Sequence, residues 1–395
     1  MATIASTRKK QFVLKLDSGT FPAGAFSASD AIPVEIAVDF VPDQEKYDLD
    51  IARDKDFKNE TLMGGAKSKA SIKTFLIGSQ PPTITSWLTG FTDTLLKSCA
   101  MSGTNLTRIE VTAQNLLIKR GDAVIASTPS AYVGVLAHNK TILIGGKHYI
   151  FSKTTSGSVG NSSVITIGAQ SLTAVATTPS VQWGVEYSRS FGNQPTYSAA
   201  LWSDGLVQKM YGSLGNVKIE FEPSKIGMVQ IEYSGIYAPD TANAGDLTAM
   251  GLPLQNLAFQ APNASPKAKG SAWFIGASTA REFRKITLDL GVKPEIRGDL
   301  TMSDGYQPAI CLESEPKITI EMATSVSNMA SDRALLIAGD TKQDIDGLIG
   351  TALGNSFYFF ADECQLQEDT DGDGNKVLTN SHTYGIINGL TILSF

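Results

Sequence analysis

Residues 211–237 read YGSLGNVKIEFEPSKIGMVQIEYSGIY. In the first part Val217, Ile219 and Phe221 alternate with Lys218, Glu220 and Glu222. In the second, Val229, Ile231 and Tyr233 alternate with Gln230, Glu232 and Ser234. Side chains of a strand point to opposite faces in turn, so each run has one apolar and one wet face. The two runs make a hairpin of Val217–Phe221 against Val229–Tyr237. The same period recurs at Val34–Phe40, Ile286–Leu290 and Ile318–Met322. Strands with one wet face build antiparallel sheets, not the fully buried sheet of a doubly wound fold. The expected class is all-β, in sandwich or barrel domains.

Two segments read as helices. From Ser86 to Cys99, Trp87, Phe91, Leu95 and Cys99 recur at four-residue steps, with Thr85 or Ser86 as cap and Gly103 beyond the end. From Lys342 to Leu353, Ile345, Leu348, Ile349, Ala352 and Leu353 gather on one side, with Thr341 near a capping box and Gly354 as stop. In order of elements the chain then repeats itself. A strand at Ser71–Gly78, a helix and the 217–237 hairpin are followed by a strand at Lys317–Ala323, a helix, and a hairpin of Phe357–Cys364 against Tyr384–Leu393. This predicts two tandem domains, 1–105 with 181–240 and 241–395, each with one flanking helix. Between them 106–180 reads as a small inserted β domain with strands at Leu116–Lys119, Tyr132–Leu136, Thr141–Ile144 and Val164–Ile167. Residues 112–178 carry five basic side chains against Asp122 alone, a net +4 on a body of −10.

Composition narrows the function. The 395 residues are 42% hydrophobic and only 18% charged, with 36 glycines, against about 25% charged in an ordinary soluble protein. That suits a turn-rich β protein with several cores, each domain burying its own. The net charge of −6 argues against a nucleic-acid binder. Cys99, Cys311 and Cys364 are too far apart for a disulfide framework or a zinc knuckle. The start, MATIASTRKKQF, lacks an apolar core, so no secretory leader is expected. No window approaches 18 uninterrupted apolar residues, so no spanning helix is expected. A soluble, reduced protein made or assembled in a cytosol is the expectation.

The search for chemistry finds little. G-x-S-x-G, P-loop, G-x-G-x-x-G and H-E-x-x-H patterns are all missing. His138, His148 and His382 have no acid or cysteine near them in sequence and read as surface residues. Cys99 reads as a small core residue on its helix, and Trp87, Trp183, Trp202 and Trp273 as separate core anchors. Residues 368–375, EDTDGDGN, begin like a calcium loop with Asp369, Asp371 and Asp373 at alternate positions. Lys376 and Asn380 stand where an aliphatic residue and a bidentate Glu are needed. The run reads better as an Asp-Gly hairpin tip. No enzyme activity, cofactor or metal is expected.

The stretch Tyr211–Pro223, continuing through Gly227 to Tyr233-Ser234-Gly235-Ile236-Tyr237, resembles the hairpin of tail tube proteins from long non-contractile tailed phages. Trp273-Phe274-Ile275-Gly276 and Lys285-Ile286-Thr287-Leu288-Asp289-Leu290-Gly291 are similar to that family's F-x-I-G and S-F-T-L-D-L-G-N blocks, with Lys285 and Val292 departing from it. Arg297, Asp299, Asp304 and Gly305 fit its R-x-D…D-G stretch. Trp87 with Leu95-Leu96-Lys97-Ser98-Cys99-Ala100-Met101 resembles its helix, with Ala100 where Gly is usual.

The resemblance implies compact β-sandwich tube domains whose inner sheets join around a ring. Single-domain members form hexamers, so a duplicated chain implies a homotrimeric ring of pseudo-sixfold symmetry, stacked into a tube. It implies a structural virion protein of the phage tail, assembled in the host cytoplasm. Its partners would be other copies of itself, tail terminator, tail tip and tape measure proteins, and genome DNA passing without specific binding, with no membrane. An acidic bore lets a polyanion slide. Glu220, Glu222, Glu232 and Glu321, on the wet faces of alternating strands, are the candidates to line it; cross-strand pairing with lysines is the plainer alternative. Two other functions compete: a virion carbohydrate-binding or adhesion protein, and a β-rich hydrolase.

Overall fold

The computed structural model describes residues 10–17, 26, 30–32, 34, 39–48, 61–76, 91–105, 108–111, 140–144, 147–153, 185–190, 194–203, 206–223, 225–242, 272–275, 282–303, 305–349, 357–374 and 377–394. Its strands before the first helix are β1 (Lys10–Leu16), β2 (Ala31–Ile32), β3 (Asp39–Asp48) and β4 (Thr61–Phe75). Helix α1 (Phe91–Lys97) leads to β5 (Met101–Asn105), β6 (Arg108–Val111), β7 (Lys140–Ile144) and β8 (Lys147–Lys153). There follow β9 (Val185–Arg189), β10 (Tyr197–Ser203), β11 (Leu206–Phe221), β12 (Met228–Ala242), β13 (Ala272–Ile275) and β14 (Glu282–Asp289). The last third holds β15 (Val292–Glu295), β16 (Ile310–Ser314), β17 (Lys317–Ala323), α2 (Val326–Ala338), β18 (Lys342–Ile349), β19 (Phe357–Gly374) and β20 (Val377–Ser394). The protein is all-β, with two short helices among the described residues.

Both expected hairpins are present. Val217 pairs with Ile231 and Ile219 with Val229 in β11·β12; Phe357 pairs with Ser394 and Phe360 with Thr391 in β19·β20. The alternation decides the register, since a slip of one residue would turn Val217, Ile219 and Phe221, each at most 2% exposed, into water. Of the strand expected at Val34–Phe40, Val34 lies outside any strand, 35–38 lie outside the described residues, and only Asp39 and Phe40 fall in a strand, at the start of β3.

The second expected helix is a strand. Lys342–Ile349 is β18, paired with β13 on one side and β19 on the other, and the helix lies earlier, at Val326–Ala338. Ile345, Gly347 and Ile349 are buried at period two, and a Cβ on Gly347 would fall 2.2 Å from the Trp273 ring. That glycine would cost a helix about 1 kcal/mol against alanine, whereas in the strand it seats the indole. The true helix carries its own signals: Ser325 accepts the Asn328 amide, and Gly339 closes the end in the left-handed conformation at φ 69°. The first helix is described over Phe91–Lys97, and residues 86–90, with Trp87, lie outside the described residues.

The sheets of the two halves follow one order. In the first, β3, β4, β12 and β11 are successive neighbours; in the second, β14, β17, β20 and β19 are. In each the strand preceding the helix lies beside the second arm of the long hairpin. The two sets join edge to edge where Lys218, Ile219, Glu220 and Phe221 of β11 pair with Asp289, Leu288, Thr287 and Ile286 of β14. One sheet therefore runs from β3 through to β13. Among the described residues the main core cluster spans both halves, from Phe12 to Ile392, with Phe221, Trp273 and Phe359 packed ring on ring across them. The halves share this core, contrary to the expectation of one core each. Their seam is a hydrogen-bonded ladder with apolar Ile219, Leu288 and Ile286 beneath it, so separating it would expose all three. Strands β6, β8 and β7 form a separate three-stranded sheet, while the insert strands expected at 116–119, 132–136 and 164–167 lie outside the described residues.

Candidate functional site

Glu220, Glu222, Glu232 and Glu321 project from the same face of the joined sheet, because the registers hold their buried neighbours Phe221, Ile231 and Ile320 on the other. Cations are interleaved with them. Lys285 sits 3.3 Å from Glu220 and 4.0 Å from Glu222, and it is the cross-strand partner of Glu321. Lys225 also bridges Glu222, and that hydrogen bond holds the Glu222 carboxyl below the usual carboxylate range. Lys218 reaches Asp289 at 3.6 Å. Lys69, Lys73 and Lys317 add exposed ammonium groups to the same face. The face is thus charge-balanced within one chain, and its half-exposed pairs each contribute about 0–1 kcal/mol.

The opposite face carries both helices. At the end of α1, the Ser98 hydroxyl lies 2.8 Å from the Tyr233 hydroxyl and donates to the Leu95 carbonyl at 2.7 Å. Cys99 is wholly buried beside them, and burial pushes its thiol far up. Ala100 follows at φ 60°. Trp202 and Trp273 are buried core residues, 4% and 7% exposed; Trp87 and Trp183 lie outside the described residues, as does His138. His148 lies in β8.

Under α2 lies a polar cluster that the sequence did not announce. His382, expected at the surface, is completely buried, its Nε2 3.2 Å from Asp369 Oδ1 and 3.6 Å from Asp332 Oδ2. Those carboxylates are 1% and 3% exposed. Nδ1 lies 3.3 Å from the Tyr384 hydroxyl. Arg333 reaches from α2 to Asp369 at 3.5 Å and also grips Asp371, while Asn380 donates to Asp369. Beyond this cluster α2 is lightly held: Leu335 and Leu336 are half-buried and Ile337 is 85% exposed. The Asp-rich run is not a loop; it continues the β19 ladder to Gly374, opposite Val377. Among the described residues no three acids, histidines or cysteines are placed to share a metal ion, and no helix is long and apolar enough to cross a membrane.

The ends of the sheet are the remaining feature. Among the described residues β3 pairs with β4 alone. Strand β19 is covered on its outer side by β18 only as far as Gln365, so the outer edge of 366–374 has no described neighbour. No family model matches the chain, and a search of curated proteins finds no match.

Proposed function

We propose that this chain is a structural subunit that pairs with copies of itself, edge to edge, into a closed ring, and that such rings stack into the tail tube of a long non-contractile phage. The observation that carries this reading is the β11·β14 seam between two four-stranded sets in the same order. A unit that joins head to tail once inside the chain, leaving matching edges at both ends, has the geometry of a heterologous contact, which closes into rings when the rotation permits. Closing the sheet also removes the edge strands that would otherwise template aggregation.

Three chains would bring six four-stranded sets around the ring, hence a homotrimer of pseudo-sixfold symmetry. The chain then serves as conduit for genome DNA without chemistry of its own. Its neighbours in the virion are terminator, tape measure and tip proteins. In this reading the charged face carrying Glu220, Glu222, Glu232 and Glu321 turns toward the bore or toward a neighbouring subunit.

Electron microscopy of the purified protein and of virions tests it. Stacked rings with an open bore, and a ring mass of three chains of 42.0 kDa, are expected. Monomeric protein retained on a polysaccharide column would instead favour an adhesion role.

A further inference from the structure

We infer that the contact closing the ring is made by the distal edge of β19, at Thr370–Gly372, on the edge of β3, at Asp39–Val41, in the next copy of the chain. The inference rests on the ring reading above and adds to it which edges meet and in what register.

The internal seam supplies the template. In the first half Ile72, Ile231 and Val217 stand in one row across β4, β12 and β11. In the second half Ile320, His382 and Asp369 stand in the corresponding row across β17, β20 and β19. The match is fixed by three features. Phe75 ends β4 as Ala323 ends β17. Tyr233 then corresponds to Tyr384, both buried. Each helix also touches this part of the sheet, Ser98 at Tyr233 and Asp332 at His382.

Counting outward from that row, Lys218 and Glu220 of β11 correspond to Thr370 and Gly372 of β19. By the same step from β4 and β17 to their outer neighbours, Asp289 and Thr287 of β14 correspond to Val41 and Asp39 of β3. Since Lys218 pairs with Asp289 and Glu220 with Thr287, Thr370 falls opposite Val41 and Gly372 opposite Asp39.

Three local observations fit this joint. Both edges lack a described neighbour. Val41 is an apolar side chain left 56% exposed on the charged face of an edge strand, and β-branched Thr370 opposite it makes a favourable cross-strand pair. The joint is also bounded at the same end as its template. In the template the ladder stops before Gly291, and on β3 Pro42, which has no amide proton to donate, follows Val41.

Paired cysteines test the register. Chains carrying Val41→Cys and Thr370→Cys together, oxidised after assembly, should run as a reducible three-chain product on a denaturing gel. Residues directly opposite in an antiparallel pair are within disulfide reach. Each single substitution should stay monomeric on the gel, and Val41→Cys with Glu368→Cys should link far less. In the unsubstituted protein, assembly should raise amide protection at 39–41 and 370–372 at least tenfold. Rings visible in the microscope without cross-link or added protection would overturn this joint while leaving the ring reading intact. No rings of the unsubstituted protein under any condition would overturn the reading itself.

Discussion

Replacing His382 by Leu should release α2. The ring is wholly buried between two carboxylates at 3.2 and 3.6 Å, themselves 1% and 3% exposed. Leucine is close to histidine in volume and would stand opposite Ile320, so the loss reports the polar contacts. Two buried acids would be left with Arg333 and Asn380, and breaking such a group costs about 3–5 kcal/mol. Because α2 has few other anchors, the loss should appear first as local opening. Amide exchange along Val326–Ala338 should quicken by two to three orders of magnitude, at about 1.4 kcal/mol for each tenfold. Adding Asp332→Leu should recover part of it, with a coupling of at least about 1 kcal/mol in urea unfolding. Exchange in α2 within threefold of the parent, with zero coupling, would refute the argument and make the cluster a spacer.

Ala100 holds a left-handed backbone at φ 60°, so Ala100→Gly should stabilise by about 1 kcal/mol, read from the urea midpoint. At Gly291, φ is 60° and an added Cβ would meet the Glu315 carbonyl oxygen at 1.9 Å; Gly291→Ala should cost about 3 kcal/mol and lower the yield of folded protein. Burial raises all three thiols, Cys364 to about 12, so native protein at pH 8 should react with an aromatic disulfide reagent only as fast as it unfolds. A fast stoichiometric thiol would contradict this. Reversing Glu220, Glu222 and Glu232 to Lys leaves Lys285 and Lys225 among like charges. On the proposed tube reading, tubes should still form, with DNA ejection slowed most at low salt; unchanged ejection kinetics would remove these acids from the proposed bore.

The hairpins were legible because a wet residue between every two apolar ones admits one pairing face, as at Val217–Phe221. The segment 342–353 misled because Ile345 and Ile349 are four apart, a spacing that serves a helix face and a strand face equally. Gly347 and the distant Trp273 decided between them. The real helix was missed because its apolar stripe is weak, with Ile337 in water, although Ser325 and Gly339 mark its ends. The environment of His382 was not readable: two irregularities in the β19·β20 ladder, at Asp362/Cys364 and Leu366/Glu368, lie between the expected hairpin and the pairing of Asp369 with His382, and Asp332 arrives only with the helix. The β11·β14 seam left no trace in local pattern, since the alternation of Ile286 and Leu288 is the same whichever strand lies alongside.

The last four residues of β20 have a consequence for how the chain folds. Thr391–Ser394 pair with Val185–Ser188 of β9, and β9 in turn carries β5. Strand β9 can pair with β5 early, but its other ladder waits for a strand far along the chain. Contacts so distant in sequence make folding slow, and they put this corner of the sheet among the slow steps. A chain lacking Thr391–Ser394 would leave β9 paired with β5 alone, an open edge of the kind that templates aggregation.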